Sequence, residues 1–179
     1  MAAIAVLWST IGAGMLRTGL GFTGDRPLSY LGTEPRATTL FRGGLLVATV
    51  LLVAFAWSVR GRLSSSAAFL AAFLVGQAGQ VVVALVAIDG PGADHAVHST
   101  AGIVLGLSLP VLIGCFAAGL PPGRWRAQAY GLFWLEVAAV VVGIALSRSG
   151  VAPLAEIVPA AGFHLWIGVV TARWASPPP

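Results

Sequence analysis

Glu136 and His164 are the side chains in this sequence whose type and place are best suited to chemistry. Each lies roughly ten residues, or ~15 Å, into an apolar stretch long enough to cross a bilayer. A carboxyl and an imidazole at one depth can share a proton, relay one, or hold a polar ligand. An ionised group at the bilayer centre costs about 2.5–3.5 kcal/mol on insertion scales, so such groups turn inward and seek partners. Gln77 and Gln80 are three apart in the third apolar stretch and so share one helix face. These four residues make up a candidate polar pocket, with Glu136 and His164 as floor and the glutamines as wall. A structural role fits the same residues: Glu136 would bond His164 or Arg17 and lock neighbouring helices, and the glutamines would form a packed, hydrogen-bonded stripe.

A second group crowds one turn. Asp89, Asp94, His95 and His98 are donor types that zinc accepts, and the two histidines are three apart. Capping accounts for part of the same pattern, with Asp94 or Ser99 at the start of the fourth helix. A ceramidase-type hydrolase would need His95, His98 and His164 on one ion, yet their depths differ by ~15 Å. There is no Gly-x-Ser-x-Gly elbow, nucleotide loop, dinucleotide fingerprint, Cys-x-x-Cys pair or haem-attachment motif. No cofactor is assigned.

The elements that must position these groups are apolar. Of 179 residues, 58% are hydrophobic and 9% charged, far below the roughly 25% charged content of a soluble domain. The net charge of +4 comes without a basic tract. All the basic residues are arginines, scattered singly or in pairs, which excludes a nucleic-acid interface. Cys115 stands alone, so no intrachain disulfide is available. Six stretches qualify as spans: Ala2–Phe22, Leu40–Val59, Ser66–Ile88, Ser99–Leu120, Arg126–Ser147 and Leu154–Trp174. They are continuous rather than alternating, which favours helices over a barrel. The predicted fold is all-α, a single-domain polytopic membrane bundle of six transmembrane helices.

No basic residue precedes the first apolar run, so it reads as a retained span rather than a cleaved leader. Gly90, Pro91 and Gly92 are expected to end the third helix, and the tail Ser176–Pro179 carries no lipidation cysteine.

Arginine placement gives the orientation. Arg60, Arg62, Arg124, Arg126 and Arg173 share a side without acids. Arg26, Arg36, Arg42 and Arg148, with Arg17 at a helix end, share the other side with Asp25, Glu34, Asp89, Asp94 and Glu156. The basic count is close, but the clustered pairs and absent acids place both termini in the cytoplasm, with a bacterial inner membrane as the expected location. Trp57, Trp125 and Trp174 fit an interfacial girdle at the same edge. Arg36 and Arg42 either meet anionic headgroups or pair with Asp25, Glu34 or Asp89, and pairing is the simpler account. Gly102-x-x-x-Gly106 is expected to serve internal helix packing rather than dimerisation. Expected partners are membrane lipids, and a homo-oligomer or a membrane partner protein.

Several segments carry a resemblance. They are Asp25-Arg26-Pro27-Leu28-Ser29-Tyr30-Leu31-Gly32, Phe41-Arg42-Gly43-Gly44-Leu45, Gly76-Gln77-Ala78-Gly79, Ile88-Asp89 and His98-Ser99-Thr100-Ala101-Gly102. Through them the chain resembles the prokaryotic multi-span family of domain of unknown function 998. The likeness is good over Gly12 to Leu120 and extends further through span count and the last histidine-bearing helix. Ile88-Asp89 stands where the family commonly has a Phe-Pro-type ending, so that loop is expected to be shaped differently. The family's distant similarity to Frag/DRAM-type six-helix proteins implies lipid handling and membrane trafficking. It also draws Ser29, Asp89 and His98 together as a candidate outer rim.

The functional expectation is an outward-facing polar pocket that binds or transports a small molecule or lipid. Two alternatives stay open: a metal-assisted lipid hydrolase or lipid-modifying enzyme using Asp89, His95 and His98, and an accessory subunit docking through glycine-rich faces.

Overall fold

The computed structural model describes residues 1–89 and 93–175. The turn residues Gly90, Pro91 and Gly92, and the tail from Ser176, lie outside the described residues. Six α-helices follow one another: α1 Ala2–Thr18, α2 Thr38–Arg60, α3 Ser66–Leu85, α4 Asp94–Gly119, α5 Arg124–Arg148 and α6 Ala152–Ala175. A short 3-10 helix, Leu28–Gly32, lies between α1 and α2. No strand occurs among the described residues. Helices α2 to α6 are each long and apolar enough to cross a membrane.

The first helix is shorter than the expected span Ala2–Phe22. Gly19 adopts the left-handed conformation (φ 72°), and its N–H returns to the Met15 carbonyl at 2.8 Å. The Thr18 hydroxyl donates to the Gly14 carbonyl at 2.9 Å. This is a glycine C-terminal stop, and the apolar Leu20 to Phe22 that follow it are not helical. Seventeen residues give a helix of about 25 Å. At the other boundary in question, α4 starts at Asp94 instead of Ser99, so both His95 and His98 are helical. Asp94 stands in the first turn, where its charge complements the helix dipole.

Consecutive helices pack on one another, and α6 returns to the centre. Trp166 of α6 is fully buried. Its ring meets Phe55 of α2, Phe69 of α3 and Phe116 of α4 at 5.7, 6.3 and 5.3 Å between centroids. Phe73 and Phe163 extend this aromatic core towards the acid-bearing end, and Trp125 and Trp174 extend it towards the arginine-bearing end.

The half nearer the acid-bearing end relies on small residues. A Cβ on Gly44 would collide with Thr10 of α1, and one on Gly76 with the Ser108 hydroxyl of α4. Pro159 cannot donate to the Ala155 carbonyl one turn back. Gly143 of α5 packs there, where a Cβ would lie 2.7 Å from that oxygen.

Not every glycine serves this packing. The expectation that Gly102 and Gly106 pack internally is corrected: nothing lies within 4 Å of a Cβ built at either. The contact is made instead by the opposing Gly79, whose added Cβ would lie 2.8 Å from the Ala101 carbonyl and 3.2 Å from the Leu105 nitrogen. Backbone cannot yield as a side-chain tip can. Gly79→Ala is therefore expected to force α3 and α4 apart and lower stability by about 1–3 kcal/mol. Gly102→Ala should leave the thermal midpoint in detergent unchanged or slightly raised, because helix propensity improves. Equal losses at both positions would remove this account of the α3–α4 contact.

Candidate functional site

Glu136 stands on the face of α5 that packs against α6, with 0% of its surface exposed. Neither carboxyl oxygen has a hydrogen-bond partner. One of them occupies the place of the missing side chain of Gly162, since a Cβ there would strike Glu136 Oε2. The carboxyl thus fills a notch that only glycine leaves open. A buried acceptor without a donor costs about 1–3 kcal/mol, and more when charged. This position needs a proton, a cation or a polar ligand to be at ease.

His164 is also buried, and its Nδ1 is without a partner. Its ring meets Trp8 of α1 edge-on at 5.6 Å. Gly162 and His164 are two residues apart, about 200° around a helix at 3.6 residues per turn. Glu136 therefore meets a face of α6 roughly opposite the one that carries His164, and no hydrogen bond joins them. Arg17 is exposed near the end of α1 rather than turned towards the carboxyl.

The glutamines divide. Gln80 donates from Nε2 to the Leu45 carbonyl at 3.1 Å and to the Thr49 hydroxyl at 2.9 Å, fastening α3 to α2. Gln77, on the same face and equally buried, keeps Oε1 without a partner. Among the described residues Gln77, Glu136 and His164 thus keep buried polar atoms without a partner, as do Trp166 at Nε1 and Thr171 at its hydroxyl.

At the acid-bearing end the histidines serve the α3–α4 turn. His98 Nδ1 lies 2.7 Å from the Val86 carbonyl, and His95 Nδ1 lies 2.8 Å from the Ile88 carbonyl. A carbonyl only accepts, so Nδ1 carries the proton in both rings. These bonds satisfy the chain just past α3, where Val86 has turned extended. Asp89 is exposed. No group of three or more His, Cys, Asp or Glu among the described residues is placed to hold a metal ion. Arg42 keeps a buried Nε without a partner.

Ser29 has a partner that sequence reasoning missed. Its N–H donates to Glu156 Oε2 at 3.1 Å and its hydroxyl to Oε1 at 3.2 Å. Next to this, the Ala152 N–H donates to the Gly24 carbonyl at 2.9 Å. Both links join the first connection to the start of α6. The 3-10 helix they hold buries Leu28 and Leu31, and Leu31 packs on Gly14 of α1. Glu156 thereby latches a plug of chain over the acid-bearing end of the bundle. A shallow polar cavity of about 250 Å³ opens beside it, lined by Thr18, Asp25, Arg26, Tyr30 and Glu34. Ser29, Asp89 and His98 are not hydrogen-bonded to one another.

Fold and site together define a multi-pass helical membrane protein with an unpaired carboxyl in its interior. The chain belongs to the family described as protein of unknown function DUF998, which it matches over residues 1–173. No curated protein and no solved structure matches it.

Proposed function

We propose that this chain is a six-span membrane protein that binds a small polar molecule or a lipid headgroup and passes it to or from the bundle interior. In this reading both termini are cytoplasmic and the acid-bearing end faces outward. Glu136 of α5 and His164 of α6 act at mid-depth on different faces of α6, Gln77 and Gln80 line the approach from α3, and Ser29, Asp89 and His98 lie at the rim. Membrane lipids surround it, in a bacterial inner membrane.

One observation carries the reading. A carboxyl at 0% exposure in the middle of an apolar helix has no internal partner. Intramembrane ionisable groups are costly, and those without a structural partner belong to ligand or proton routes. Glu156 and the plug it holds supply a closure above that route. The test is cysteine labelling in membrane vesicles. Glu136→Cys is expected to react with a small aqueous thiol reagent, faster when Glu156→Ala is combined with it. Absence of labelling in both would overturn the reading.

A second reading, an accessory subunit of a membrane complex, has one observation in its favour: the open Gly102 and Gly106 face. It predicts that Gly102→Cys cross-links to another chain after mild solubilisation.

A further inference from the structure

The arginine-bearing end is built from three segments brought into one cluster. Ser64, in the turn after α2, donates both its N–H and its hydroxyl to the Gly119 carbonyl at 3.0 Å. This joins the turn holding Arg60 and Arg62 to the turn before Arg124 and Arg126. The guanidinium of Arg62 stacks over Trp174 at 4.7 Å, which adds the end of α6 and its Arg173. Phe116 sits between Trp125 and Trp174, at 6.1 and 5.8 Å. Five arginines therefore lie at one end of the bundle, three of them over aromatic rings, and the sequence places no acid there.

One further feature points to an anion. Helix α5 starts at Arg124 behind Gly123 with no side-chain cap, so its first N–H groups and the positive end of its dipole are free. Guanidinium groups and a helix N-terminus together match a phosphate. The surroundings favour a phosphate that arrives on a lipid. Arg60 lies directly over the exposed ring of Trp57, where headgroup and acyl region meet.

We infer that this arginine crown seats the headgroup phosphate of an anionic phospholipid, a site separate from the interior carboxyl and independent of its role. The test compares retention of phosphatidylglycerol and phosphatidylcholine by the full chain in mixed micelles, read by native mass spectrometry. Phosphatidylglycerol should be retained preferentially. Each of Arg62→Gln, Arg124→Gln and Arg126→Gln should reduce that preference by about fivefold, from the typical contribution of one arginine near an anionic surface. Arg148→Gln, at the opposite end, should leave it unchanged.

For the parent chain, the preference should fall steeply with added salt, a readout that stands even if a variant fails to fold. Equal retention of the two lipids, or an undiminished preference in the triple variant, would overturn the inference. Displacement of the lipid by inorganic phosphate at matching concentration would reassign the crown to a free anion, and would overturn it too.

Discussion

Glu136→Met is expected to unfold in detergent at a temperature several degrees above the parent chain while losing any ligand binding that depends on the interior. The side chain is completely buried and neither oxygen is hydrogen-bonded. Its desolvation, about 1–3 kcal/mol for an unmet polar group, is recovered when a thioether of similar volume takes its place. Methionine is flexible enough to bend around the backbone at Gly162. For a chain of this size each kcal/mol shifts the midpoint by about 2–4 °C. Glu136→Gln keeps a polar group in the notch and should remain close to the parent in stability. The opposite result is informative. A loss of about 3–5 kcal/mol in the methionine variant is what removing one member of a buried pair produces. It would mean that Glu136 has a structural partner, and the ligand site would be abandoned.

Glu156→Ala should release the plug without unfolding the bundle. The carboxylate accepts both the N–H and the hydroxyl of Ser29. Hydrogen bonds to a charged group contribute about 1.5–3 kcal/mol. Amide exchange across Leu28–Gly32 should therefore quicken by roughly 10- to 100-fold, since each 1.4 kcal/mol is tenfold in an opening equilibrium. Ser29→Ala keeps the N–H donor and should give a smaller change. Amides in the centre of α5 should be unaffected by either substitution. If exchange in the 3-10 helix is the same in all three proteins, Glu156 does not hold the segment.

The helices were legible because lipid-length apolar runs leave little choice once charges and turns are marked. The exceptions have local causes. Leu20 to Phe22 extended the apolar pattern of α1 past its true end, although Gly19 after Arg17 is a readable stop. Asp94 to His98 looked like loop because they are polar, yet Asp94 favours the first turn of a helix.

The site was half legible. An intramembrane glutamate and histidine announce themselves by cost, but which way the faces of α5 and α6 that carry them turn depends on helix rotation, which composition does not encode. The Ser29–Glu156 latch joins residues 127 positions apart, and nothing local in either residue marks the other. The Gly102–Gly106 spacing suggested internal packing, while the close contact fell to Gly79 on the facing helix. Small residues show where helices are able to approach, not where they do.

The brevity of α1 has a consequence for the surrounding lipid. In the six-span reading proposed above, α1 at about 25 Å falls short of a hydrocarbon layer ~30 Å thick, and hydrophobic mismatch would thin the leaflet beside it by a few ångströms. Arg17, exposed in its last turn, can then snorkel into headgroups drawn towards the midplane. In that reading Trp8 and the His164 behind it would sit nearer to interfacial water than their positions along the chain imply.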